Sequence, residues 1–64
     1  DAERARLGRE IAAQSSEAER ARGKLANPGF MANAPEEVVE QRRERLSEVE
    51  LTLDRLREAL RDLG

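Results

Sequence analysis

Apolar residues recur at helical spacing in two stretches of this chain, and a segment rich in turn-forming residues separates them. In the second stretch Val39, Arg42, Leu46, Val49, Leu53, Leu56, Leu60 and Leu63 follow one another in alternating steps of three and four, and seven of these eight are apolar. Such steps place all eight side chains on one stripe of a helix. A stripe sustained over about four heptads is a coiled-coil seam. In the first stretch the same count gives Arg4, Leu7, Ile11, Gln14, Ala18, Ala21 and Leu25, five of seven apolar. This seam is thinner. Two of its members are alanine, Gln14-Ser15-Ser16 interrupts it, and Gly8 costs about 1 kcal/mol relative to alanine in a helix. The first helix therefore needs the second as a partner.

The separating segment supplies the stop and start signals. Pro28 pushes Asn27 out of the helical region, and Gly29 beside it suits a turn. Ala34-Pro35-Glu36-Glu37 then opens a helix. A proline in the first turn loses no intrahelical bond, and the two carboxylates suit the positive end of the helix dipole. The pattern predicts a helix over 2–25, a turn over 26–34 and a helix over 35–63. At 1.5 Å per residue the helices are about 36 and 43 Å long. A short linker joins helices as antiparallel neighbours. Head-to-tail pairing sets Leu25 beside Arg42, Ala21 beside Leu46, Ala18 beside Val49 and Leu7 beside Leu60, so small residues face large ones near the turn. The predicted fold is all-α, a single antiparallel two-helix coiled-coil hairpin of 64 residues.

Composition narrows the function. Charged residues make up 41% and aromatic residues 2%, which suits a solvated helical hairpin or a disordered segment; the periodicity selects the helix. There is no Cys and no His, and Ser15, Ser16, Ser47 and Thr52 have no neighbouring base, so no catalytic constellation is expected. No metal-ligand spacing occurs either, and no cofactor is expected on this chain. No apolar run reaches membrane-spanning length, no run has the character of a signal-peptide apolar core, and the lack of Cys fits a cytoplasmic origin. The chain opens at Asp1 without a methionine and reads as a fragment of a longer protein. A net charge of −2 gives the whole chain no bulk attraction to nucleic acid, so any such contact must come from a local patch.

One patch qualifies. Arg20, Arg22 and Lys24 lie in the last turn and a half of the first helix, and Arg42, Arg43 and Arg45 lie early in the second. In a hairpin all six share the third nearest the turn, with Arg20 and Arg45 at nearly one height. Arginine forks pair with phosphate and stack on exposed bases. The competing reading is that these arginines alternate with Glu17, Glu19, Glu40 and Glu44 as solvating ion pairs. Phe30, the only aromatic residue, is read first as a plug on Leu25, Val38 and Val39 and second as a platform for a base. Leu51 falls on the outer face of the second helix.

The pattern Lys24-Leu25-x-Asn27-x-x-Phe30-Met31-x-x-Ala34-Pro35-x-x-Val38-Val39, followed by Arg42-Arg43-Glu44-Arg45-Leu46, resembles the tip of the C-terminal coiled-coil arm of bacterial valyl-tRNA synthetase. The flanking helices match as generic coiled coil. Met31 stands where that family carries Val or Leu, and Asn33 stands where it carries a basic residue. The resemblance implies a non-catalytic tRNA-binding arm on a cytoplasmic enzyme that uses ATP with magnesium to join valine to its tRNA. It implies that the arm meets the outer corner of the tRNA, where the D and T loops join, and that Arg20, Arg45, Arg22, Lys24, Arg42 and Arg43 are the contact residues. The implied partners are valine-specific tRNA and the rest of the synthetase. Two other classes stay open on the residues alone: a structural or dimerising coiled coil, and the RNA-binding C-terminal hairpin of a ribosome-associated ABC-type ATPase.

Overall fold

Asp1 begins the first helix as its sequence position suggests. In the computed structural model, which covers residues 1–64, its carboxylate accepts a hydrogen bond from the Arg4 amide at 2.8 Å and caps α1, Ala2–Leu25. Glu3 in the first turn and Arg22 and Lys24 in the last complement the helix dipole. The helix ends where proline chemistry requires it. Asn27, held extended before Pro28 at φ −84° and ψ 115°, leaves the helical path.

The chain then does something the sequence pattern did not show. Residues 26–34 are not an irregular turn: Pro28–Asn33 form a short helix, α2. Asn27 caps it, its Oδ1 accepting from the Phe30 amide at 3.1 Å, and Pro28 occupies the first turn. Asn33 closes it by donating from Nδ2 to the Gly29 carbonyl at 2.8 Å. Gly29 is not needed for a left-handed backbone, since the only positive φ in the chain is at Gly64. A Cβ there would sit 3.2 Å from Asn27 Oδ1, the atom that caps the helix, so a larger residue would require the cap to shift by a few tenths of an ångström. Ala34 repeats the role of Asn27, extended at φ −76° and ψ 139° before Pro35. α3 then runs over Glu36–Asp62, with Pro35 at its N-cap and Glu36 and Glu37 in its first turn.

α1 and α3 pack side by side in a body 46 Å long and 14 by 12 Å across, with no strand in the chain. The core is one layer thick. Leu7, Ala18, Ala21, Val39, Val49 and Leu53 are buried, and every one of them belongs to a seam read from the sequence. Its centre is Ala18, fully buried, against Val49 and Leu53, with Ile11 and Leu46 packed around them. No polar or charged residue is buried. The seam frays at its charged and terminal members: Arg4 and Arg42 lie on the stripe but are exposed, and Leu63 at the end of α3 is 42% exposed. Arg42 thus adds no polar layer to the core. Leu51 faces outward.

Candidate nucleic-acid interface

Successive residues on a helix are turned by about 100°, so residues four apart share a face and residues two apart point to nearly opposite sides. This spacing splits the six basic residues near α2 into two groups. Arg20 and Lys24 share one face of α1, and Arg42 and Arg45 share one face of α3. The packing of the helices brings these four together: with Glu17 and Ala21 they line one shallow concavity of about 340 Å³. Four cations surround a single carboxylate. Arg22 lies on the other edge, bonded from Nη2 to Glu50 Oε2 at 2.7 Å. That edge holds a second concavity, lined by Ser15, Glu19, Arg22, Glu50, Leu53, Asp54 and Arg57, in which three acids outnumber two bases. Arg43 pairs within α3 to Glu40 at 3.3 Å and does not join the basic group.

The four basic residues are not equivalent. Arg45 is held across the helix pair: its Nε and Nη2 both lie 2.7 Å from Glu17 Oε1, and its Nη1 lies 3.7 Å from Glu48 Oε2. The hydrogen bond to Glu17, and then the charge of Glu17, raise the guanidinium pKa above its ordinary value, with a smaller contribution from Glu48. Like any arginine, Arg45 is charged at every accessible pH. Arg20, Lys24 and Arg42 make no ion pair and keep their donors for a partner. Lys24 also reaches toward the tip, with Nζ 5.9 Å from the centre of the Phe30 ring. Phe30 is half-buried, which leaves part of the ring in reach of solvent. The sequence names Glu17 among the carboxylates that pair with these arginines but does not show its partner, Arg45 on the other helix; a carboxylate flanking one seam beside an arginine flanking the other is the signal that marks such a pair.

No group of acidic, histidine or cysteine side chains is placed to hold a metal ion, and no helix is long and apolar enough to cross a membrane. The arrangement offers fixed positive charge on one edge.

The whole chain, residues 1–64, matches the family described as the valyl tRNA synthetase tRNA binding arm. This chain belongs to that family. Individual relatives agree. The arm is 50% identical over 63 residues to a valine–tRNA ligase of Caulobacter vibrioides, an overlap of 98% of this chain and 7% of that protein. A valine–tRNA ligase of Xylella fastidiosa (strain M12) is 53% identical over 58 residues, 91% of the arm and 6% of the relative. One from Dechloromonas aromatica is 43% identical over 63 residues, again 98% and 7%. The arm thus spans 6–7% of the length of these relatives. No solved structure matches it.

Proposed function

We propose that this chain is the tRNA-contacting arm of a valine–tRNA ligase, an antiparallel coiled-coil hairpin that holds the outer corner of tRNA against its basic edge. Three features support the antiparallel path. Helices of about 36 and 40 Å fit a body 46 Å long only if the chain folds back on itself. Ala18 packs on Val49, as head-to-tail pairing requires. Ion pairs Glu17–Arg45 and Arg22–Glu50 flank that contact on its two sides, the arrangement antiparallel coiled coils use.

The observation that carries the functional reading is the gathering of Arg20, Lys24, Arg42 and Arg45 on one edge of a chain whose net charge is negative. RNA helices expose phosphates and 2′-hydroxyls across a shallow groove and are held mostly by shape and backbone charge. A rigid rod with one basic edge suits that task. It adds affinity and orients the acceptor end toward a distant catalytic centre. Activation of valine with ATP belongs to the remainder of the ligase. Arg22 and Arg43, engaged with carboxylates away from this edge, contribute less.

The test is Arg20→Ala with Arg45→Ala in the full-length ligase. Aminoacylation should show a raised KM for tRNA, while valine-dependent pyrophosphate exchange, which needs no tRNA, should be unchanged. Equal loss of both activities would mean the arginines act through folding. No loss of either would place the contact elsewhere on the arm.

A further inference from the structure

Glu17 is out of place by charge. It is the single carboxylate among the cations of the basic concavity, where a phosphate would be repelled by it. It is also the best sheltered of the ion-paired carboxylates: its side chain is 34% exposed, against 46–72% for Glu3, Glu10, Glu40, Glu48 and Glu50. Two nitrogens of Arg45 converge on one of its oxygens. This geometry fixes the direction of Nε and with it the plane of the guanidinium.

We propose that Glu17 is a positioning residue for RNA recognition, holding the Arg45 guanidinium in the orientation in which it meets RNA. The proposal rests on the reading of this edge as the tRNA contact. Arginine carries many rotamers, and ordering one at an interface is a cost of binding. Glu17 meets that cost in the free arm. Its carboxylate uses Nε and one Nη2 proton, which leaves protons on both terminal nitrogens for RNA. The other three cations have no such partner and stay adaptable. The edge therefore combines one preset contact with three mobile ones.

Two effects of Glu17 oppose each other, so the sign of a substitution decides. If positioning dominates, Glu17→Gln weakens RNA binding although it removes a negative charge. If repulsion dominates, the same change tightens it and steepens the dependence on salt. The experiment is a double-mutant cycle in the full-length ligase, with Glu17→Gln, Arg45→Ala and the pair. It measures binding of a valine-tRNA transcript across a salt series and the melting of each variant. Glu17→Gln should weaken binding about three- to tenfold, the range expected for freeing one ordered side chain. In the Arg45→Ala background it should produce no further weakening. Tighter or unchanged binding for Glu17→Gln alone, or equal weakening with and without Arg45, overturns the proposal. If Arg45→Ala by itself leaves binding unchanged, the Arg45 contact fails as well, which separates the two conclusions. Glutamine matches the size and helix propensity of glutamate, and unchanged melting of Glu17→Gln shows that the effect on binding is not one of folding.

Discussion

Arg20 and Arg22 stand two residues apart in α1 and serve opposite edges of the arm. Arg20 lines the basic concavity with Lys24, Arg42 and Arg45, whereas Arg22 is bonded to Glu50 on the edge where acids prevail. Charge reversal distinguishes them. Arg20→Glu in the full-length ligase should weaken tRNA binding strongly and flatten its salt dependence. Arg22→Glu should change binding by less, because a phosphate near it already faces Glu19, Glu50 and Asp54. Fluorescence titration at several salt concentrations measures both, and equal losses would contradict the one-edged interface.

Leu53 tests the core. It is 3% exposed and packs in the central cluster with Ala18 and Val49. Truncating a buried leucine costs about 2–5 kcal/mol, and a one-layer core of six buried residues has few neighbours to redistribute the loss. Leu53→Ala should unfold the isolated arm at 25 °C. Leu51→Ala, on the outer face, should stay within about 0.5 kcal/mol of the parent. Circular dichroism of the two variants checks both, and native-like melting of Leu53→Ala would show that the core lies elsewhere.

Gly8 offers the opposite change. It lies inside α1, and a Cβ built there meets nothing within 4 Å. Alanine gains helix propensity without a clash, so Gly8→Ala should stabilise the arm by about 0.5–1 kcal/mol. For a domain of this size each 1 kcal/mol raises Tm by about 4–8 °C. A thermal melt reads the shift, and a lower Tm would show that the glycine has a packing role.

The residues of the core were legible because one physical rule produces them. All six buried side chains sit on the stripes counted from the sequence, since a helix pair can bury only its facing seams. The rule stops where solvent competes. Arg4 and Arg42 occupy seam positions and still point outward, because a charged head gains nothing from a core this shallow. The short helix α2 leaves no mark in the pattern for another reason. Six residues give less than two turns, too few for a period to show, and Pro28-Gly29 reads equally well as a turn or as a helix start. The separation of Arg20 and Lys24 from Arg22, and of Arg42 and Arg45 from Arg43, follows from the helical step alone. The Glu17–Arg45 bond does not, since it depends on the register of one helix against the other.

The last prediction concerns Phe30, on α2 beside the end of α1. Its ring is half-buried and Lys24 stands over it at 5.9 Å. Two roles fit that position: filling the tip of the core, or offering a face to an RNA base. They respond differently to two substitutions. Phe30→Leu keeps an apolar side chain of similar reach but removes the aromatic face; Phe30→Ala removes both. Half-burial suggests roughly half the usual cost of a buried aromatic truncation, so Phe30→Ala should destabilise the arm by about 1–2 kcal/mol. We expect the packing role to dominate, because α2 has no other aromatic to cover the end of the helix pair and its remaining large apolar residue, Met31, is also only half-buried. Phe30→Leu should then keep both Tm and tRNA affinity close to the parent, while Phe30→Ala lowers Tm. Base–aromatic stacking is worth about 1–3 kcal/mol per base, so a platform role would instead show as a loss of tRNA affinity of fivefold or more in Phe30→Leu at unchanged Tm. Melting and tRNA titration of the same two variants give the answer, and that second pattern would assign the ring to the RNA rather than to the core.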